Sequence, residues 1–111
     1  MPGKSKYRAV KTRTIDGIVH DSRKEAARWQ ELNLMLRARL IEDLQRQVRF
    51  EVIPKQEGER PCTYIADFVY IDRKTGQRVV EDVKSPATRT EAYRIKRKLM
   101  LLVHGIRIRE I

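Results

Sequence analysis

The chain of 111 residues carries 25 lysines and arginines against 15 aspartates and glutamates, a formal net charge of +10. That length allows one modest core of a sheet and two helices and leaves no room for a second domain. The basic excess implies a polyanionic partner, nucleic acid above all, and no apolar run is long enough to cross a bilayer.

Residues 1–9 are basic and weakly apolar, and are expected to form a flexible arm carrying Lys4, Lys6 and Arg8. Lys11 and Arg13 extend this basic cluster into a hairpin expected from Val10 to His20, turning at Asp16-Gly17. The single domain therefore starts at residue 10 and runs to 111. Asp21-Ser22 offers an N-cap to a helix reaching about Leu40, with Trp29, Leu32, Leu36 and Leu40 at helical spacing. Strands are expected near 47–53, 63–72 and 78–84, the last two joined by a turn at Lys74-Thr75-Gly76. Thr88-x-x-Glu91 has the form of a capping box for a helix over 90–103 that Gly105 ends, with Ile95, Leu99, Leu102 and Val103 as its buried stripe. Ile106 to Ile111 alternates as a final strand. The expected order is a hairpin followed by αβββαβ, an α+β sandwich-like fold with a mixed sheet flanked by two helices.

The two-residue period of the strands groups their charged side chains. Along 64–71, Tyr64, Ala66, Phe68 and Tyr70 share one face, and Asp67 interrupts the apolar face of Ile65, Val69 and Ile71. In the next strand Val80, Asp82 and Lys84 fall on one side, and Val79, Glu81 and Val83 on the other. Glu25 stands four residues before Trp29 and seven before Leu32, in the stripe that should face the sheet, whereas Glu31 points to solvent. Taken singly, Glu25 reads as a capping-box acid and Asp82 with Lys84 as an ordinary same-face ion pair. Together they place three acids and a lysine on core-facing positions, where unpaired charge costs several kcal/mol, roughly. Two carboxylates and an amine on neighbouring strands suit a hard divalent cation and phosphodiester hydrolysis. Cys62 excludes an internal disulfide and fits a reducing compartment, and with only His20 and His104 beside it no zinc spacing can be built.

Glu25, Asp67 and the run Asp82-x-Lys84, followed by a basic helix, resemble the PD-(D/E)xK nuclease superfamily, which includes restriction endonucleases and resolvases. The stretches 21–32, 64–68, 80–84 and 90–99 look similar to a small phage-encoded nuclease-like family. Ala66 stands where the motif's name has proline, and Asp82 where glutamate is commoner. The resemblance implies a restriction-endonuclease-like core with Glu25, Asp67, Asp82 and Lys84 catalytic. It further implies Mg²⁺ or Mn²⁺ held by Asp67, Asp82, the Val83 carbonyl and Glu25. Tyr93, Lys96 and Arg97 would then reach the phosphates together with the basic arm, and Gln45 or Gln47 would touch the site.

The expected function is that of a metal-dependent DNA endonuclease, with branched DNA such as a Holliday junction as one substrate class, in phage DNA metabolism. A domain this small has little material for reading bases, so shape and backbone are the expected targets. Cutting two strands would favour a homodimer, and a recombination partner from phage or host is a further option. RNA stays open as a substrate. The alternative is a non-catalytic nucleic-acid-binding or inhibitory protein on the nuclease scaffold. The basic N-terminus precedes no secretory apolar region, which gives a cytoplasmic expectation, the host cytoplasm if phage-encoded.

Overall fold

A computed structural model describes residues 10–111. Lys4, Lys6 and Arg8 lie outside the described residues, with the rest of the expected arm. The hairpin forms from β1 (Thr12–Arg13) and β2 (Val19–His20), antiparallel and closed by Gly17 at φ +86. Ser22 then caps α1 (Arg23–Arg37), its hydroxyl accepting the Glu25 N–H at 3.1 Å.

α1 stops three residues short of Leu40, because Ala38 caps it and Arg39 turns left-handed at φ 60. The apolar stripe accordingly ends early. Ala26, Trp29 and Leu32 are buried beside Glu25, while Leu36 and Leu40 are exposed. The turn at Arg39 sends Ile41 into the sheet, so β3 (Ile41–Ile53) begins six residues before the expected position. Its first half escapes a period-two reading, since Asp43 and Gln47 both adopt φ 54 and the register with the next strand shifts between Glu42 and Gln45.

β3, β4 (Cys62–Asp72) and β5 (Arg78–Asp82) make the expected antiparallel meander, and Gly76 at φ +72 turns the last pair. The chain leaves β5 through a short 3₁₀ turn, Pro86–Thr88, and enters α2 (Glu91–His104). Thr90 is the cap of α2, its hydroxyl accepting the Tyr93 N–H at 3.1 Å, whereas Thr88 belongs to the preceding turn, where it bonds Ser85. Gly105, left-handed at φ +67, ends α2, and β6 (Arg109–Glu110) lies parallel to β5. The result is an α+β fold of two helices, a four-stranded mixed sheet in the order β3-β4-β5-β6 and a separate hairpin.

The core divides in two. Trp29 and Leu32 of α1 pack with Ile41, Phe68, Tyr70 and Val79, the Trp29 and Phe68 rings stacked at 5.7 Å. Tyr93 and Met100 of α2 pack with Phe50, Val52, Tyr64, Ala66, Val69, Val80 and Ile108. Each large side chain enclosed in this way contributes about 1.5–3 kcal/mol. Tyr64 and Ala66 thus pack toward α2 and Phe68 and Tyr70 toward α1, not all four on one face. The change of side occurs where β4 passes Gln47, whose left-handed backbone interrupts the pleat opposite Asp67. α2 also buries a different stripe from the expected one. Tyr93 and Met100 face the sheet with Leu99 at the margin, and Ile95, Leu102 and Val103 are exposed.

Candidate active site

The site grows out of the β4–β5 register. Phe68 pairs with Glu81, and one step further along the same ladder Asp67 comes beside Asp82. Asp67 Oδ2 accepts the Val83 N–H at 2.8 Å, which ties the acid to the end of β5. Its other oxygen takes a longer bond, 3.4 Å, from Gln47 Nε2. Of the two glutamines at the start of the meander, it is Gln47 that reaches the site.

Asp82, only 4% exposed, accepts from the Tyr64 hydroxyl and forms an ion pair with Lys84 at 3.1 Å. The Lys84 ammonium also sits 4.0 Å above the Tyr93 ring, so two contacts fix its position. Tyr93 itself is buried, and its hydroxyl donates to Glu110 at 2.7 Å. Its place is under Lys84 and not on the surface where a phosphate would arrive. The Tyr93 bond, with help from Arg97 and Arg89, holds Glu110 down at about 2. Arg97 is thereby committed at 2.9 Å to Glu110, while Lys96 is half-buried beside it. Lys11 and Arg13 are exposed on the hairpin, and Arg13 bonds the Gly17 carbonyl at 3.1 Å.

Glu25 is buried at 6% exposure, as its place in the stripe requires. Its backbone takes the Ser22 cap, but its carboxylate turns away to His20, whose Nδ1 donates at 3.2 Å. His20 is fully enclosed, with Nε2 3.3 Å from the Thr14 hydroxyl. Burial first, and the Arg46 charge second, lower its pKa below the usual imidazole value. Glu31 lies on the surface, paired at 3.7 Å with Arg28.

The electrostatics single out the two aspartates. Asp67 is pushed up to about 6, chiefly by burial, with the Val83 bond opposing and the neighbouring Glu25 carboxylate adding to the rise. Asp82 is likewise raised to about 6, by burial first and the Asp67 charge second, with Tyr64 and Lys84 opposing. Tyr64 is raised by burial and by the Asp82 charge. Carboxyls crowded together away from bulk water in this way bind protons, or cations, more tightly than isolated ones.

Among the described residues no three histidine, cysteine, aspartate or glutamate side chains converge as a complete metal cage. Asp67 and Asp82 nonetheless fit a magnesium-type ion as a pair, because that ion keeps most of its waters and needs one or two carboxylates. Glu25, held by His20, approaches Asp67 from α1 and would act through water. Three contributors carried no signal in the sequence beyond their polarity: Tyr64, His20 and Lys24, whose ammonium donates to the Lys84 carbonyl at 2.7 Å. Each joins the site through a fold contact between separate elements.

Residues 4–107 match the model of a family described as a protein of unknown function (DUF1064), and the chain belongs to that family. No curated protein and no solved structure gives a match.

Proposed function

We propose that this member of the family is a metal-dependent nuclease of the PD-(D/E)xK kind, acting on nucleic acid phosphodiesters. The observation that carries the reading is the Asp67–Asp82 pair. A half-buried and a buried carboxyl stand side by side on neighbouring strands, both raised to about 6, with a lysine fixed at the edge of the buried one. A charge arrangement of this cost is hard to explain as scaffolding, since the fully buried Glu81 beside it is matched by the Arg28 fork.

Asp67, Asp82 and the Val83 carbonyl would hold Mg²⁺ or Mn²⁺, with Glu25 contacting it through water. When bound, the cation supplies Lewis acidity at the phosphate and a water of lowered pKa. Lys84 would orient the attacking water and stabilise charge on the phosphoryl oxygens, its ammonium kept in place by Asp82 and the Tyr93 face. Tyr64 donates to Asp82 Oδ2 while Lys84 pairs with Oδ1, so the carboxylate is held in one orientation. Lys24 and Lys84, together with the net charge of +10, draw the polyanion to this surface.

The testing experiment is a cleavage panel in Mg²⁺ and Mn²⁺ over linear duplex, single strand, flap, four-way junction and RNA. Products bearing 5′-phosphates that vanish with EDTA support the reading. Binding without cleavage on every substrate and metal would favour the non-catalytic scaffold instead. Within the nuclease reading we expect branched DNA to be cut faster than linear duplex, by a homodimer making paired symmetric nicks. Equal rates on the two by a monomer remove the resolvase subtype.

A further inference from the structure

Arg46 is the anomaly of the sheet. Its Nε is the one buried side-chain nitrogen or oxygen among the described residues that has no hydrogen-bond partner. It forms no ion pair among them either, although the arginines around the core are matched: Arg28 with Glu81, Arg89 and Arg97 with Glu110. A guanidinium has five donors, and enclosing one unbonded is costly unless another acceptor arrives.

Its position indicates which acceptor. Arg46 pairs across the sheet with Phe68, the residue after Asp67, so it shares the α1 side with Phe68. The next residue, Gln47, reaches Asp67 itself. The Arg46 charge acts on His20, which holds Glu25. The side chain is half-buried, not sealed, and is therefore open to a ligand from solvent. We propose that Arg46 binds a backbone phosphate of the nucleic acid next to the Glu25–Asp67 side of the site. A phosphate presents paired oxygens that a guanidinium matches bidentately, and it supplies the acceptors the fold withholds. This rests on the reading of the site as one that receives nucleic acid, but not on turnover.

The test is binding of labelled linear duplex and of a labelled four-way junction across a salt series in EDTA, by the wild type, Arg46→Gln and Arg46→Lys. Loss of one phosphate contact lowers the slope of log affinity against log salt by about 0.9 for duplex. Arg46→Gln should show that loss, and Arg46→Lys should retain the slope with weaker binding. The thermal midpoint of Arg46→Gln should equal or exceed the wild type's, because an unsatisfied donor is removed. A lowered midpoint with an unchanged slope assigns Arg46 to the fold and overturns the proposal. A parallel arm titrates inorganic phosphate: a midpoint rise in the wild type alone, without any change in the nucleic-acid slope, gives the site to free phosphate and also overturns it. If Arg46→Gln alters the slope but the wild type cleaves nothing in Mg²⁺ or Mn²⁺, the nuclease reading fails and the phosphate site stands. Normal cleavage with no slope change has the opposite meaning.

Discussion

Glu81 and Asp82 are adjacent acids in β5, both enclosed, and they face opposite sides of the sheet. On the α1 side, Glu81 meets the Arg28 fork through both oxygens, at 2.8 and 2.5 Å, and the Tyr70 hydroxyl donates to it as well. Its bond to Glu81 raises Arg28 above the usual guanidinium value, and burial lifts Tyr70 to about 12. On the other side Asp82 faces a second carboxylate and shares one lysine, and it is raised to about 6. Burial is nearly the same for the two, and the partners differ. The acid that a bidentate arginine matches fits a scaffold role, and the one crowded by a second carboxylate, despite Lys84 and Tyr64, is where our proposal puts the cation.

The largest effect should separate these neighbours. Asp82→Ala is expected to reduce cleavage by roughly 10³-fold or more while leaving nucleic-acid affinity intact or slightly higher, since one repelling charge is gone. Glu81→Ala is expected to lose about 3–5 kcal/mol of stability by stranding Arg28. Denaturant melts and cleavage rates on the same preparations check both; a folded but inactive Glu81→Ala would reverse the assignment.

Glu25→Gln sharpens the contrast within the site. The amide oxygen still accepts from His20, so the thermal midpoint should hold, and loss of the charge should slow cleavage roughly 10- to 100-fold, as for a group acting on the metal through water. A destabilised but fully active variant would make Glu25 only part of the hairpin's anchor.

A smaller effect is expected in the pH dependence of stability. Asp67 and Asp82 sit at about 6 in the folded chain against 3.8 ordinarily, so the folded state holds their protons more tightly than the unfolded one does. The stability they contribute is present below pH 4 and is lost as pH rises through about 6. Asp67→Asn should therefore flatten the decline between those pH values, by on the order of 2 kcal/mol. Mg²⁺ should raise the midpoint of the wild type near pH 7 and not that of the variant. Urea unfolding at the two pH values measures this, and an identical decline in both proteins would clear Asp67 of strain.

The smallest effect concerns the basic arm. Deleting residues 1–9 removes Lys4, Lys6 and Arg8, and should lower the salt slope of binding by up to roughly 3 units without altering the Asp82 phenotype. An unchanged slope would show that the arm makes no phosphate contact.

The sequence by itself determined what depends on short-range backbone geometry. A strand's period of two puts Asp82 and Lys84 together with Val80 and turns Glu81 away, and the helical period places Glu25 in line with Trp29 and Leu32. Ser22, Gly17, Gly76 and Gly105 act as cap and turns because cap bonds and left-handed φ values are local needs. The tertiary structure decided the partners. α2 offers two apolar stripes, each with a seven-residue spacing, Tyr93/Met100 and Ile95/Leu102, and no periodicity chooses between them; the sheet takes the one whose ring packs near Tyr64 and beneath Lys84. The left-handed Gln47 that breaks the pleat beside Asp67 is not a residue type that announces such a turn. His20 meets Glu25, and Arg46 stays unpaired among the described residues, because a side chain's neighbours are set by elements brought together from distant parts of the chain, which local period and propensity do not encode.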